Sequence, residues 1–527
     1  MRDFHHPGRS AAFAENGMCA TSHPIAAQAA VDILKAGGNA VDAAIAGAVL
    51  LGLCEPAMTG IGGDCFALIK PAGTEEIIAI NGSGRAPAAL SAEGLRAKGH
   101  SKMPVFGDPA AVTIPGAIDA FCQMSQDHGK LGLDAVLAPT IRYAEAGVPV
   151  APRAGFDWAH HHDNMNATAR RFYLIGDAPP RVGQLFRHPQ QAEVLRRVAT
   201  HGRAGFYEGE VAEDMVTSLR ALGGVHTLED FANTRSSYGT PVSGNYKGIE
   251  LVEHPPNGQG ATAILLANIL AEFDLPSMEP FGTMRAHIEA EATKLAYDAR
   301  ERFVADMDHM TRLAHMLDPA TAKKLAALID PTRCIDNPRT LSAEAHKETI
   351  YITVVDSDRM VVSLIYSVFK DFGSGIASDK FGILFQNRGA GFTLEAGHPN
   401  EVGGGKRPMH TIIPAMLKQN GRVIMPFGVM GGQYQATGHA RMLTNMVDYG
   451  LGPQEMIDAP RCFSEFGDMK VEKGYSDKVR QELSDLGHKV STPDVGIGGA
   501  QAIAIHHDLG TLEGGSDPRK DGIALGY

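Results

Sequence analysis

The sequence predicts a folded globular protein that combines α-helices with β-strands, and three observations support this class. Hydrophobic residues make up 44 % of the 527 residues and charged residues only 20 %, whereas disordered chains have more charge and less apolar content. Several segments repeat apolar residues at helical spacing. Other segments are short runs rich in β-branched residues that are bounded by turn residues.

Two helices are predicted near the N-terminus. Residues Ile25–Ala36 carry apolar residues at helical spacing and end at Gly37-Gly38, which is a helix stop signal. Asn39 can cap a second helix over Val41–Leu53, whose many Ala and Gly residues permit close packing against a neighbour.

The rest of the chain mixes helices and strands. Thr227 can cap a further helix, with Asp230 at its third position, which is close to a capping box. The other predicted elements are strands over Phe66–Ile69, Ile77–Ile80, Thr349–Asp356, Met360–Ile365 and Val423–Phe427, and helices near 134–147, 190–200, 210–222, 261–270, 287–302, 434–449 and 478–486.

Composition narrows the possible partners and the compartment. Lys and Arg number 48 against 60 Asp and Glu, and this net charge of −12 disfavours nucleic acid and anionic membranes as partners. The six cysteines have neither CxxC nor zinc spacing, so we expect reduced, structural thiols. No apolar run suits a signal peptide or a membrane span, and we therefore expect a cytoplasmic protein.

Several familiar motifs do not fit. Gly403–Lys406 is not a phosphate loop, because Asn400 and Arg407 stand where the motif needs Gly and Ser or Thr. The run His160–Asp163 favours a solvated loop or helix end over a metal site, since adjacent side chains diverge. There is no GxSxG elbow and no cysteine in a nucleophile motif, which leaves hydroxyl residues as candidate nucleophiles. We expect neither a metal nor a cofactor.

Thr349 is one such hydroxyl, at the start of a predicted β-hairpin. It follows the polar segment 332–348, which is either a linker or an exposed, mobile segment. If the chain were cut between Glu348 and Thr349, the new α-amine, with a pKa of about 7.7–8.0, could accept the hydroxyl proton. The spacing alone leaves a structural threonine at a strand start as the more ordinary interpretation.

A glycine-rich turn, Gly428–Gly432, lies between a predicted strand and a predicted helix. Consecutive glycine N–H groups at a helix N-terminus suit an oxyanion. An ordinary strand-to-helix turn has the same pattern, so this motif by itself leaves both interpretations open.

Taken in order, segments from nearly the whole chain resemble the γ-glutamyltranspeptidase family of N-terminal-nucleophile hydrolases. The segments that carry the resemblance are 26–46, 59–63, 66–69, 112–121, 226–235, 254–270, 291–303 and 348–364. The resemblance implies an α+β protein, a four-layer αββα sandwich with a single core. The length of 527 residues would otherwise predict about three domains.

The resemblance also implies an inactive precursor that cleaves itself before Thr349. Residues 1–348 would become a large subunit and residues 349–527 a small subunit, and the two would share one structural domain. In that chemistry the Thr349 hydroxyl attacks the Glu348 carbonyl, and water then resolves the ester. The same hydroxyl later attacks the substrate amide.

The residues of acyl transfer are retained, whereas those that hold the glutamyl group are not. Gly431 and Gly432 carry over as the oxyanion hole, and Ser367 stands at the position of a family Thr that hydrogen-bonds the nucleophile. Tyr351 replaces the His of the family's Thr-Thr-His start. The family's remaining substrate-binding positions are occupied here by Ser83, Phe369, Arg388, Gly391, His410 and Thr411, and Arg85 lies two residues beyond the first of them.

These departures favour an anionic substrate. Loss of acidic groups and gain of Arg388 disfavour an ammonium group and favour a carboxylate. Segments 385–392 and 405–417 resemble a divergent branch of the family that includes oxamate amidohydrolase and glutathione-hydrolase-like bacterial proteins. We therefore expect an amidohydrolase that cleaves a small anionic amide such as oxamate, with substrate contacts from Arg85, Arg388, His410 and Thr411.

Other interpretations stay open at this point. Arg85, Arg388 and His410 could instead serve in buried ion pairs or in packing. The enzyme could be a γ-glutamyl hydrolase or transferase that acts on glutathione-like peptides, or an acylase of β-lactam side chains. An unprocessed, inactive relative would be a binding protein. The unit of large and small subunits could also form a homo-oligomer.

Overall fold

Two seven-stranded antiparallel sheets lie at the centre of the fold. The computed structural model describes residues 8–335, 349–465 and 467–527. The strands of these residues are, in chain order, β1 (Ala12–Ala14), β2 (Met18–Thr21), β3 (Asp64–Lys70), β4 (Ile78–Gly82), β5 (Val148–Pro149), β6 (Leu185–Phe186), β7 (Ser237–Gly239), β8 (Val242–Tyr246), β9 (Ile249–Glu253), β10 (Ile350–Val355), β11 (Val361–Ser367), β12 (Ala415–Gln419), β13 (Arg422–Met430), β14 (Cys462–Glu465), β15 (Asp468–Val471), β16 (Lys489–Ser491), β17 (Gly499–His506), β18 (Thr511–Ser516) and β19 (Ile523–Gly526).

Helices connect and cover these strands. In chain order they are α1 (Pro24–Lys35), α2 (Ala40–Cys54), α3 (Ala92–Ala97), α4 (Ala117–His128), α5 (Leu133–Ala146), α6 (Pro152–His161), α7 (Ala167–Tyr173), α8 (Pro189–His201), α9 (Ala204–Tyr207), α10 (Gly209–Ala221), α11 (Leu228–Ala232), α12 (Gly260–Leu270), α13 (Thr283–Phe303), α14 (Leu313–Leu317), α15 (Pro319–Ala326), α16 (Gln435–Tyr449), α17 (Pro453–Asp458) and α18 (Asp477–Asp485). Within the described ranges, no helix combines the length and the apolar character needed to cross a bilayer.

Both large sheets contain strands from before and after the predicted cut. Sheet A has the order β1-β18-β17-β13-β12-β9-β8, and sheet B has the order β19-β2-β10-β11-β3-β4-β7. In sheet B, β10 and β11 therefore lie between β2 and β3. The two chain ends also meet, since Ala12 of β1 pairs with Gly514 of β18 and Thr21 of β2 pairs with Ile523 of β19.

Alternate side chains of β10 face opposite layers of the molecule. Ile350, Ile352 and Val354 pack with the buried side chains of α1 and α2. Tyr351 and Val355 face the other way and pack with side chains of sheet A. Helices α12, α13 and α16 cover the outer face of sheet A. The layers are thus helix, sheet, sheet and helix, the αββα sandwich that the resemblance implied.

Helix α2 is buried along its whole length, and its small residues allow this. A Cβ on Gly47 would lie 2.4 Å from Cδ1 of Ile352, so glycine lets the helix approach β10 closely. The Asn39 side chain accepts hydrogen bonds from the N–H groups of Val41 and Asp42. The predicted second helix and its cap are confirmed.

Local signals also located other elements correctly. The predicted hairpin is β10 and β11, and the Thr227 cap forms a capping box with Asp230. The predicted strand at 423–427 continues to Met430, so Gly428 lies in the strand and not in the turn. Glycine is needed there because a Cβ would lie 2.2 Å from Cε2 of Tyr351. All six cysteines are free.

Candidate active site

Thr349 and Ser367 lie opposite each other at the ends of β10 and β11. The strand register pairs Ile350 with Tyr366, so these two hydroxyl residues form the next pair. Thr349 Oγ1 donates a hydrogen bond to Ser367 Oγ at 3.3 Å, and both residues are buried. Both belong to the set of alternate residues that faces sheet A, as the packing of Tyr351 shows.

Arg388 is fully buried beside this pair. Its Nη2 donates to Ser367 Oγ at 3.4 Å and its Nη1 donates to Thr411 Oγ1 at 3.1 Å. The guanidinium carbon lies 4.0 Å from the centre of the Phe369 ring, a cation–π contact. Nε is buried without a hydrogen-bond partner among the described residues. The partners of the guanidinium are thus two hydroxyl oxygens and a ring, and its Nε donates to none of them.

Asp64 supplies a buried negative charge that acts on Arg388, and the sequence analysis missed it. It is the first residue of β3 and is fully buried. Burial raises the pKa of its carboxyl group to about 6, although Arg388 and several donors act in the opposite direction. Its Oδ1 accepts hydrogen bonds from Gly84 N at 2.9 Å, Gly116 N at 3.2 Å and Gln386 Nε2 at 2.8 Å.

His410 is hydrogen-bonded to Asp64 and is also affected by the positive charge of Arg388. Its Nε2 is 3.2 Å from Asp64 Oδ2, and its Nδ1 accepts from the Ile412 N–H at 3.4 Å. Nδ1 therefore lacks a proton and Nε2 donates to the carboxylate. Burial and the Arg388 charge lower the pKa of His410 well below its ordinary value. The pair is a neutral imidazole donating to a carboxylate, not an ion pair.

The glycine turn follows β13 directly. Gly431 has φ 121° and Gly432 has φ 53°, both in the region that favours glycine. A Cβ on Gly431 would lie 2.8 Å from the Cα of Gly498, so the turn has no room for a side chain. Gly432 begins a short 3₁₀ turn that leads into α16.

Gln259, which the sequence analysis did not single out, connects the glycine turn to Arg388. Its Nε2 donates to Thr411 O at 2.6 Å and to Gly432 O at 3.3 Å, and its Oε1 accepts from Arg300 Nη1 at 2.9 Å. One series of contacts thus joins Thr349, Ser367, Arg388, Thr411, Gln259 and Gly432.

A buried His–Glu pair supports β13 just before the glycine turn. Strand β12 begins at Ala415, opposite Phe427, so it does not reach the N–H of Val429. That N–H donates to His439 Nε2 at 3.2 Å, and His439 Nδ1 donates to Glu253 Oε1 at 2.7 Å. The carboxylate thereby fixes the imidazole tautomer that accepts from the strand.

The structure does not bring Arg85 into this series of contacts. Its Nη1 donates to Gly405 O at 2.9 Å and lies 3.4 Å from Asp306 Oδ2, and its side chain is 42 % exposed. The arginine that contacts Ser83, the family's substrate-binding position, is instead the buried Arg407, whose Nε donates to Ser83 O at 2.9 Å. Glu348, the other residue of the predicted processing site, lies outside the described residues.

Known proteins resemble this chain over nearly its full length. The family model described as Gamma-glutamyltranspeptidase matches residues 26–527. The glutathione hydrolase-like YwrD proenzyme of Bacillus subtilis (strain 168) is 35 % identical, over 97 % of this chain and 98 % of that protein. The oxamate amidohydrolase proenzyme of Klebsiella pneumoniae is 32 % identical over the same shares of the two chains. The crystal structure of cephalosporin acylase from Bacillus halodurans superposes with a TM-score of 0.91 at 36 % identity, covering 100 % of this chain and 99 % of that one.

Proposed function

We propose a function from the premise that the chain belongs to the γ-glutamyltranspeptidase family and is an amide hydrolase of that family. In the proposal, the protein is a self-processing amidohydrolase with Thr349 as its nucleophile. Its substrate is a small amide that carries a carboxylate close to the scissile bond, with oxamate as the test case. The observation that carries the proposal is the buried guanidinium of Arg388, two hydrogen bonds away from the Thr349 hydroxyl.

The proposed precursor chemistry takes place at the peptide bond between Glu348 and Thr349. The Thr349 oxygen attacks the Glu348 carbonyl carbon, the C–N bond breaks, and the hydroxyl proton passes to the freed α-amine. Water then hydrolyses the resulting ester and leaves residues 1–348 and 349–527 as two subunits of one core. The burial of Thr349 on Ser367 supports this step, as do two relatives that are named as proenzymes.

In turnover the same hydroxyl attacks the amide carbon of the substrate. The α-amine of Thr349 accepts the hydroxyl proton and returns it to the leaving nitrogen, which departs as ammonia. The N–H groups of Gly431 and Gly432 stabilise the oxyanion in this proposal. Water then hydrolyses the acyl-enzyme, so that oxamate and water give oxalate and ammonia.

The geometry around Arg388 favours a short acyl group. Its Nη2 is 3.4 Å from Ser367 Oγ, which in turn is 3.3 Å from Thr349 Oγ1. A carboxylate bound to this guanidinium therefore stays close to the attacked carbon. In oxamate one bond separates the carboxylate from the amide carbon, whereas four bonds separate them in a γ-glutamyl group. The positive charge also repels the ammonium group of a glutamyl substrate.

Two other activities of the same chemistry have support from relatives. The name of the Bacillus subtilis relative favours hydrolysis of γ-glutamyl amides such as glutathione. The structural similarity to cephalosporin acylase favours removal of a β-lactam side chain. Both remain candidate substrates for the Thr349 nucleophile, and they rank below a small anionic amide because of the Arg388 environment.

Denaturing gel electrophoresis tests the processing step. We expect two bands, of 348 and 179 residues, from the purified wild type, one full-length band from Thr349→Ala, and two bands from the Thr349→Ser control. A single full-length band from active wild-type protein would refute self-cleavage.

Substrate assays test the second half of the proposal. Ammonia release from oxamate is compared with cleavage of a γ-glutamyl anilide and of a cephalosporin side chain. We expect the highest kcat/KM with oxamate. Efficient anilide or cephalosporin cleavage without oxamate activity would replace the proposed substrate by one of these alternatives.

A further inference from the structure

We infer that His287, Glu291 and His488 form a binding site for one divalent transition-metal ion of the zinc class. All three side chains are buried, and one ligand atom from each lies within 4.8 Å of the others. His287 and Glu291 are four residues apart on α13 and so share one face of the helix. His488 comes from the turn after α18 and brings the third donor to that face.

The donor set and spacing suit zinc. Two histidines and a glutamate, with water in the fourth position, are an established zinc ligand set. His287 Nδ1 is 2.8 Å from His488 Nε2, and His488 Nε2 is 3.8 Å from Glu291 Oε1. Zinc bonds of about 2.0–2.1 Å place tetrahedral donors about 3.3–3.4 Å apart. A small opening of the histidine pair and a small closing toward the carboxylate would reach that spacing.

The surroundings orient one of the ligands. His287 Nε2 donates to the carbonyl oxygen of Asp330 at 2.8 Å. This contact fixes the tautomer in which Nδ1 carries the lone pair, as second-shell carbonyls do for metal-binding histidines. His287 is therefore held in the tautomer and orientation that a metal ligand needs.

Lys294 occupies the Glu291 oxygen that a metal ion at this site would bind. Its Nζ lies 2.7 Å from Glu291 Oε1 and donates to Ile335 O at 3.1 Å. Glu291 Oε2 is occupied separately, because it accepts from Ile335 N at 2.6 Å. A bound metal would take Oε1 from the ammonium group. Removal of the lysine charge should therefore strengthen metal binding.

The position of the cluster suggests its role. His287 and Glu291 lie before the predicted cut, and His488 lies after it. The segment Asp330–Ile335, which precedes the predicted cut, contacts two of the ligands through its backbone. A metal here would tie the predicted large and small subunits together, remote in sequence from the Thr349 chemistry.

The test measures binding of Zn²⁺ alone by the full-length protein after EDTA treatment and removal of the chelator. Calorimetric titration should give one Zn²⁺ per chain with a Kd of about 1 µM or lower. Loss of a ligand in His488→Ala or Glu291→Gln should weaken binding by about 100-fold or more. Lys294→Met should strengthen it about 10-fold, by removing a competing charge.

The histidines at 160–162, of which His160 is exposed and the other two are half-buried, supply the matched control, because a histidine-rich surface also attracts zinc. His162→Ala should leave the affinity unchanged. Circular dichroism melts before and after zinc addition identify any variant that fails to fold. No binding tighter than about 100 µM by either the wild type or Lys294→Met would overturn the inference. Binding that survives in His488→Ala and disappears in His162→Ala would overturn it equally.

Discussion

The hydroxyl of Thr349 donates to the hydroxyl of Ser367 across a strand pair, and the same serine oxygen also accepts from the Phe369 N–H at 2.8 Å. The serine is thus fixed by its own chain while it holds the threonine. Phe369 takes the unusual φ of 82°, which places its N–H on the serine and its ring against Arg388. One short segment therefore orients both the proposed nucleophile and the proposed anion-binding group.

Ser367→Ala should lower kcat about 10- to 100-fold, because the attacking hydroxyl loses its hydrogen-bond acceptor, and it should change KM less, because Arg388 Nη2 loses one acceptor but keeps its charge. Ser367→Thr keeps the hydroxyl and should retain most of the activity. Steady-state kinetics with oxamate, on protein shown by gel to be cleaved, measure both values. Equal activity of the Ala and Thr variants would remove Ser367 from the machinery.

Arg388→Ala should raise the KM for oxamate about 10- to 100-fold, because a charge-assisted bond to the substrate carboxylate is lost. Arg388→Lys keeps the positive charge but loses the paired N–H donors of the guanidinium, so it should recover only part of the affinity for oxamate. Arg85→Ala is the comparison, since that guanidinium is partly exposed and already contacts Asp306. A larger effect of Arg85→Ala than of Arg388→Ala would shift the anion site to the surface arginine.

The affinity of the Arg388 site for an anion such as oxalate should fall as the pH rises through about 6. The pKa of the buried Asp64 carboxyl group is raised to about 6, so it is neutral below this pH and negative above it. The neutral form leaves the Arg388 charge to the ligand, whereas the ionised form competes with it. Calorimetric titration with oxalate between pH 5 and 7 stays below the pKa of about 7.7–8.0 of a free α-amine on Thr349, so the amine charge does not change over this range.

Asp64→Asn provides the matched variant for this pH effect. It keeps a side chain of the same shape but cannot ionise, so oxalate should bind about 10-fold more tightly than to the wild type at pH 7, with little pH dependence between pH 5 and 7. Oxalate affinity that rises with pH in the wild type would contradict the assigned charge relationship.

Raised pKa values of buried carboxyls also predict the direction of a stability change. Since folded Asp64 binds its proton more tightly than the unfolded chain does, its contribution to stability is greatest at low pH and is lost as pH rises from about 4 to about 6. Asp64→Asn cannot form the buried carboxylate that lowers the free energy of unfolding above pH 6. Between pH 5 and pH 7.5, the free energy of unfolding measured in urea should therefore fall less for Asp64→Asn than for the wild type.

Gly431→Ala should reduce kcat about 100- to 1000-fold, or stall the protein as a precursor, because the new Cβ would displace the glycine turn that we propose as the oxyanion hole. Gly450→Ala is the control at the other end of α16. Gly450 has φ 64° with no atom within 4 Å of a built Cβ, so its replacement should cost about 1–2 kcal/mol of stability and leave kcat unchanged. Matching losses of activity in both variants would indicate general destabilisation.

Elements with strong local signals were predictable from the sequence. The Asn39 cap, the Thr227 capping box and the hairpin before Ser367 each depend on residues a few positions apart. Strand β2 was not predicted, because Met18–Thr21 is buried on both faces and shows no alternation of polar and apolar residues. Strand β12 is likewise short, and its first three residues are all buried.

The site residues also differ in whether the sequence carries a signal that identifies them. Thr349, Ser367 and the glycine pair could be named because they stand at catalytic positions of the family that the chain resembles. Asp64 could not, since its partner His410 is 346 residues away and no local pattern joins them. The available signal was a single acidic residue after Gly62-Gly63, at the start of a strand whose next five residues are apolar. Gln259 and His439 gave no such signal, because their partners are also remote in sequence.

The pairing of both chain ends into the two large sheets determines when this molecule can finish folding. Strand β1 finds its partner only at β18, and β2, which pairs with β10 on one side, finds β19 on the other, so both sheets stay incomplete until residues 511–526 have been synthesised. Such a high contact order makes folding slow and leaves unpaired strands exposed in the nascent chain. The proposed cleavage needs β10 seated between β2 and β11, so a cleaved chain is one in which β2 and β10, two strands remote in sequence, have already paired.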